Sequence, residues 1–250
     1  MTSPDRSGAT VLAVVQARMG STRLPGKSLR PLAGRTTLDW VLRAAEQSHE
    51  VAGVVVATTT LQEDDAIAEH AERAGARVVR GAQDDVLSRY LLAVEAYEPD
   101  AVVRLTADCP LLDPAVLDLA VATWRHAPDA DYVSTILFRT LPRGLDVEVV
   151  SAEALRRADR VARDHHRVHV TSYVYTHPEE FGLTGLVFAP RENTLRATLD
   201  TDADARVIDA VVAALGDAPP AWRDVVRWLD QHPEVAALNS EVRQKPLEAG

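Results

Sequence analysis

Residues 11–27 read VLAVVQARMGSTRLPGK. The opening run, Val11–Gln16, is apolar until its last residue, which marks a strand buried on both faces. From Ala17 to Lys27 the chain carries two glycines, a proline, two hydroxyls, two arginines and a lysine. Such a loop at a strand end leaves backbone N–H groups free to face an anion and adds three cationic side chains. The stretch predicts a triphosphate-binding loop. Gly20 and Gly26-Lys27-Ser28 come close to a P-loop, but five residues separate the glycines where that motif has four. A plain glycine–proline turn is the alternative reading. It leaves Arg18, Arg23 and Lys27 crowded with no anion to face.

Outward from this loop the pattern alternates. Thr36 or Thr37 caps a helix to about Ser48, Gly53–Thr58 is a second buried strand, and Asp64–Ala74 is a helix closed by Gly75. Arg77–Val79 is a third strand. Asp84 or Asp85 caps the next helix, Ala101–Leu105 is a fourth strand, and Asp113-Pro114 opens another helix. Strand–helix alternation without a repeat predicts an α/β fold, a Rossmann-like, mostly parallel sheet with helices on both faces. Ligands then gather beyond the carboxyl ends of the strands. The rhythm changes after residue 130. Asp131–Leu137, Leu145–Val150, Gly182–Phe188 and Leu195–Leu199 read as strands, and Ser151 caps a helix to about Arg163. His165–Tyr175 reads as its helical continuation. Asp202–Leu215, with Asp202 as cap, and Ala221–Gln231 are amphipathic helices, and 240–250 reads as a frayed end. With no linker in view, 1–250 is expected to be one domain, with 130–190 as an elaboration.

Composition narrows the function. A formal charge of −10 argues against a general nucleic-acid surface. A single cysteine argues against a disulfide framework and for a reducing compartment, so a cytoplasmic protein is expected. The longest apolar runs fall far short of the roughly 20 residues of a membrane helix. Lysine occurs only at 27 and 245, so 25 of the 27 basic residues are arginine; a lysine inside the glycine loop stands out against that background.

Three further groups can carry chemistry. Asp108 follows the fourth strand, where a carboxylate can hold Mg²⁺ on a nucleotide's phosphates or simply start a turn. Asp200 ends a short apolar stretch; it and Asp108 can share a metal if the fold joins them. His165, His166, His169, Tyr173 and Tyr175 lie close together, with Arg139, Arg143, Asp146 and Glu148 upstream. No HEXXH pattern supports zinc there, and contact with an anionic substrate suits the arginines better. Cys109 lacks an evident basic partner and reads as packing.

With these residues in view, VVQARMGSTRLPGKSLRPLAG, VVVATTT, LTADCPLLDP, LPRGLDVEVVS, HVTSYVYTHPEEF and ATLDTDAD occur in the order found in the cytidylyltransferase family, which includes the CMP-activating synthetases for acidic sugars. The chain resembles that family over about residues 11–210. The resemblance implies the nucleotide-diphospho-sugar transferase fold, CTP, Mg²⁺ and a homodimer built on the middle elaboration. It implies transfer of CMP to a small anionic acceptor, an acidic sugar, sugar phosphate or phosphonate, with release of pyrophosphate. By the same resemblance Ala17, Arg18, Met19, Gly20, Ser21, Arg23, Lys27, Thr58 and Asp108 bind the nucleotide, Lys27 and Arg18 being catalytic. Asp108 and Asp200 match the metal aspartates. Arg139, Arg143, Asp146, Glu148, His169 and Tyr173 are expected on the acceptor side. Two positions depart from the family pattern: Ala107, where glycine is usual, and Val168, where glutamate is often found. A glycosyltransferase of the same fold and a non-catalytic nucleotide-binding protein are the alternatives; the first normally carries an Asp-x-Asp pair that Asp108-Cys109-Pro110 lacks.

Overall fold

The computed structural model describes residues 6–244. In chain order come β1 (Val11–Gln16), a small hairpin of β2 (Pro31–Leu32) and β3 (Arg35–Thr36), α1 (Thr37–Glu46), β4 (Val54–Thr59), α2 (Asp65–Arg73), β5 (Arg77–Gly81), α3 (Val86–Tyr97), β6 (Ala101–Thr106) and α4 (Pro114–His126). The second part holds β7 (Tyr132–Ser134), β8 (Glu148–Ser151), α5 (Ala152–Val161), α6 (His165–Val168), α7 (Ser172–Thr176), β9 (Leu183–Gly185), α8 (Asp202–Leu215), α9 (Trp222–Gln231) and α10 (Pro233–Ala236).

Seven strands form one sheet in the order β5-β4-β1-β6-β8-β7-β9. Only β8 runs against the rest; it pairs antiparallel with both β6 and β7. The expected mostly parallel sheet is therefore present, with one reversed strand. β1 sits between β4 and β6 and is buried along its length because its side chains serve two cores. Val11, Ala13 and Val15 face a core built with α1, α2, α4, α8 and α9. Leu12 and Val14 face one built with α3, α5 and α7. That is why the sequence shows an apolar run and not an alternation.

Helix starts follow their caps. The Thr36 hydroxyl accepts from the Asp39 N–H and the Asp39 carboxylate accepts from the Thr36 N–H, a capping box. Asp85, Asp113 and Ser151 cap α3, α4 and α5.

Four expectations need correction. Thr201, not Asp202, caps α8, because Asp204 turns back to complete a capping box with it. Residues 165–175 are two short helices: Val170, a buried β-branched residue at φ +53°, breaks the run. Leu195–Leu199 forms no strand; its one ladder contact is the Arg143–Arg196 bridge. The strands expected at 131–137, 145–150 and 182–188 shrink to β7, β8 and β9. Of the frayed end, residues 245–250 lie outside the described residues. Among the described residues no helix is long and apolar enough to cross a membrane.

Candidate active site

The loop after β1 is tied at both ends. The Ala17 N–H donates to the Ala57 carbonyl at 3.2 Å and Met19 N–H to Asp64 Oδ1 at 2.6 Å. Gly26, at φ +69°, returns its N–H to the Met19 carbonyl at 3.1 Å. Between these ties the N–H groups of Gly20, Ser21, Thr22 and Arg23 have no hydrogen-bond partner among the described residues. Only a single 3₁₀ turn, Lys27–Leu29, follows. The loop thus lacks the α-helix that backs a P-loop, consistent with its different glycine spacing.

Two other segments meet it. The Asp108 carbonyl, just past β6, accepts from Leu199 N–H at 2.7 Å and from the Thr198 hydroxyl at 3.2 Å. This clamp brings the carboxylates of Asp108 and Asp200 to one point. Lys27 Nζ sits between them, 2.5 Å from Asp108 Oδ2 and 2.6 Å from Asp200 Oδ1. Arg23 and Arg196 reach the other Asp200 oxygen at 2.9 and 2.7 Å. Arg196 also holds Asp204, whose second oxygen takes the N–H groups of Asp200 and Thr201. Burial alone would raise the Asp108 pKa. The Lys27 ammonium and hydrogen bonds from Lys27, Thr106 and Cys109 outweigh it and hold the carboxyl below the ordinary range. Burial lowers the Lys27 pKa, but its two carboxylate partners more than reverse this and raise it.

The pair fits a divalent cation. Two hard carboxylate oxygens already converge on one positive charge, and Mg²⁺ is commonly held by one or two carboxylates plus substrate phosphates. Among the described residues no group of three or more His, Cys, Asp or Glu side chains converges, so a cation here would draw its remaining ligands from substrate and water.

Two cavities open on this point. One, about 280 Å³, runs along Arg18, Gly20, Ser21 and Lys27 to α3. The other, about 430 Å³, lies under β6, β8 and the segment after β7. Gln16, Arg23, Thr106, Asp108, His169 and Asp200 line both. Most charges on the second cavity are already matched. Glu148, only 2% exposed, accepts from Arg104, from Tyr132 Oη at 2.5 Å and from Thr171 Oγ1 at 2.5 Å. Arg139 makes a forked pair with Asp146. Arg143 lines this cavity with no ion pair or side-chain hydrogen bond to any described residue. Burial and the neighbouring Arg139 pull its pKa down. Gly144 makes this placement possible. At φ +103°, an added Cβ would lie 2.4 Å from the Ala197 carbonyl carbon, so only glycine lets this turn press on 195–198.

The expected nucleotide-side residues Ala17, Arg18, Gly20, Ser21, Arg23, Lys27 and Asp108 come together on the first cavity. Met19 instead packs on the core, and Thr58 is fully buried; neither lines either of these two cavities. Arg139, Arg143, Asp146, Glu148 and His169 line the second cavity, whereas Tyr173 stacks on His177 at 3.9 Å outside it. Cys109 is buried against the Thr106 and Thr198 hydroxyls, and burial pushes its thiol well up. Gln16, Arg89, Arg104 and Arg196 were missed. An arginine inside the apolar strand AVVRLT is a readable signal for Arg104; Arg196 and Asp200 are four apart outside any helix, where that spacing carries no signal, and Arg89 sits on a helix with no such mark.

A family model described as cytidylyltransferase matches residues 12–216. The spore coat polysaccharide biosynthesis protein SpsF of Bacillus subtilis is 34% identical over 237 residues, 90% of this chain and 96% of that protein. The 3-deoxy-manno-octulosonate cytidylyltransferase of Solibacter usitatus is 29% identical, covering 87% and 93%. A solved cytidylyltransferase structure from Leptospira borgpetersenii superposes with a TM-score of 0.88 at 30% identity, covering 95% of this chain and 99% of that one. The sheet order and these likenesses identify the nucleotide-diphospho-sugar transferase fold. By family model, sequence and architecture together, the chain belongs to the cytidylyltransferase family and is a nucleotidyltransferase.

Proposed function

We propose that this enzyme transfers CMP from CTP to a hydroxyl or oxyanion of a small anionic acceptor, with an acidic sugar of the 3-deoxy-manno-octulosonate kind as the leading class. One observation supports this most directly: Lys27 lies between Asp108 and Asp200 at the mouth of a loop with four unpartnered N–H groups. Those N–H groups, with Arg18 and Lys27, hold the β- and γ-phosphates. This puts the α-phosphate at the wall common to both cavities. The acceptor oxygen attacks α-phosphorus there, a hydroxyl acceptor giving up its proton to water, the bond to the bridging oxygen breaks, and pyrophosphate leaves with the electron pair. Asp108 and Asp200 would hold a divalent cation, which supplies charge neutralisation at the triphosphate when bound. The chain's own residues contribute positioning and charge. Arg143, the unmatched cation of the second cavity, anchors the acceptor's negative group.

Residues 130–190 supply half of the residues lining the acceptor cavity. Their outward face carries Phe138 and Val187, 69% and 67% exposed, and is assigned to a homodimer contact. The reaction is placed in the cytoplasm, where CTP is made available. A pyrophosphate-release screen of four NTPs against acidic sugars, sugar phosphates and phosphonates with Mg²⁺ tests the reading. CTP with one anionic acceptor should give turnover. Sugar transfer from a nucleotide sugar without pyrophosphate release would overturn it.

A further inference from the structure

The chain stays against the site after α10. A 3₁₀ turn, Ala237–Asn239, follows that helix. Asn239, only 3% exposed, donates through Nδ2 to the Arg196 carbonyl at 3.1 Å and to Asp204 Oδ1 at 2.9 Å. The Val242 N–H returns to the Asn239 carbonyl at 3.0 Å. This anchor carries Gln244 to the larger cavity, where it forms part of the lining. Gln244 lies beyond residue 216, where the match to the family model ends.

Gln244 Oε1 accepts from Arg196 Nη1 at 3.2 Å. The other nitrogens of Arg196 are committed: Nε holds Asp204 and Nη2 holds Asp200, each at 2.7 Å. A neutral oxygen therefore completes this guanidinium without adding a third negative charge. A guanidinium only donates, so the carboxamide oxygen is the atom fixed on Arg196 and the NH₂ group is turned away from it. No described residue accepts from that NH₂. The cations of the same cavity divide in the same way. Arg23, Arg104 and Arg139 each hold a carboxylate, whereas Arg143 holds none. A backbone bridge joins Arg143 to Arg196, and burial with the charges of Arg139 and Arg196 lowers the Arg143 pKa. Gln244, held on Arg196, stands on the Arg143 side of the cavity.

We infer that Gln244 is a specificity-determining residue for the acceptor: its NH₂ donates to the acceptor's negative group beside the Arg143 guanidinium. This rests on the cytidylyl-transfer reading and adds to it a contact from the end of the chain. An anion with two or more oxygens takes both donors at once. The carboxamide supplies a donor without a charge, so it leaves the ion pairs around Asp200 undisturbed.

Steady-state kinetics and CTP titration of wild type, Gln244→Ala and Gln244→Glu test this, with Mg²⁺ and the acceptor that the pyrophosphate-release screen selects, 3-deoxy-manno-octulosonate first. Gln244 is exposed, so neither change opens the core. Gln244→Ala should raise the acceptor KM by about 2- to 10-fold, the worth of one hydrogen bond, with CTP affinity within about twofold. Gln244→Glu still offers Arg196 an oxygen but replaces the donor by a negative charge. It should raise the acceptor KM further, by about 10-fold or more, through like-charge repulsion. A residue that only props Arg196 would be rescued by glutamate. Wild-type kinetics in Gln244→Glu therefore overturn the assignment, as does an unchanged acceptor KM in Gln244→Ala. A parallel loss of CTP affinity in both variants makes Gln244 a positioning residue for Asp200 and also overturns it. If wild type turns over no anionic acceptor with CTP, the cytidylyl reading fails and this inference with it; if wild type turns over and the variants match it, only the role of Gln244 fails.

Discussion

Lys27 Nζ and Asp108 Oδ2 are 2.5 Å apart, so the lysine of the glycine loop is, in this state, the counter-ion of the aspartate just past β6. The same ammonium neutralises Asp200. Lys27→Met removes the one charge between two partly buried carboxylates. It should lower the rate of pyrophosphate release by about 10²-fold or more and cost about 3 kcal/mol of stability. Mg²⁺ should then raise the melting temperature of the variant more than that of wild type, because the vacated space lies between two hard oxygen donors. Equal Mg²⁺ effects in the two proteins, measured by calorimetry, would show that these carboxylates do not share a cation.

Arg143 gives a prediction confined to the acceptor. Its side chain is unmatched on the second cavity, whereas Arg139 and Arg104 carry their own carboxylates. Arg143→Ala should raise the acceptor KM by about 10- to 100-fold, the worth of a charge-assisted hydrogen bond, and leave CTP affinity within twofold. Steady-state kinetics alongside CTP titration separates the two. A matching fall in CTP affinity would move Arg143 to the nucleotide side.

Glu148 should be a residue of stability first. It collects Arg104, Tyr132 and Thr171 at 2% exposure. Glu148→Ala strands the Arg104 charge and should cost about 3–5 kcal/mol in urea unfolding. Glu148→Gln, which keeps two polar atoms in place, should cost distinctly less.

Gly144→Ala combines a strained φ with a backbone collision at Ala197. A loss on the order of 3 kcal/mol is expected. Acceptor turnover should fall further than CTP binding, since the turn carries Arg143 and leads to Asp146. Chemical denaturation of the purified variant checks the first part.

Asp39 supplies a pH test away from the site. Burial raises its pKa, but hydrogen bonds from Thr36 and His70 more than compensate and hold it below the ordinary carboxylate value. A group depressed on folding adds stability above its unfolded pKa of about 3.9 and loses it as pH falls through the folded value. Asp39→Asn should therefore cost about 1 kcal/mol at pH 7, with the difference from wild type shrinking below pH 4. Melting temperatures across pH 3 to 7 would show it.

How far the molecule could be read from residues alone depends on distance along the chain. β1, β4, β6 and their caps follow from local patterns, since an apolar run and an Asp-Pro start are visible within ten residues. Asp108 and Asp200 were each visible as strand-end carboxylates, but their meeting depends on Leu199 reaching the Asp108 carbonyl, a contact no spacing encodes. Leu195–Leu199 reads as a strand because Leu195, Ala197 and Leu199 alternate with Arg196 and Thr198; Gly144 and Arg143 hold it as a single bridge instead. The break at Val170 was unreadable, because a β-branched residue gives no hint of a left-handed φ. That turn carries Thr171 to Glu148, so the strain sits where the larger cavity is built.

The shared wall between the cavities has one more consequence. Apart from Val168, His169 and Asp200, the residues of the nucleotide-side cavity all precede position 109, while most of the larger cavity comes from 136–198. The molecule has a seam. Exchanging the stretch from β7 to α7 while keeping Val168 and His169, the two residues it lends to the smaller cavity, should remake the larger cavity and leave the rest of the smaller one in place, so chimaeras cut near residue 130 test which half of the chain chooses the acceptor.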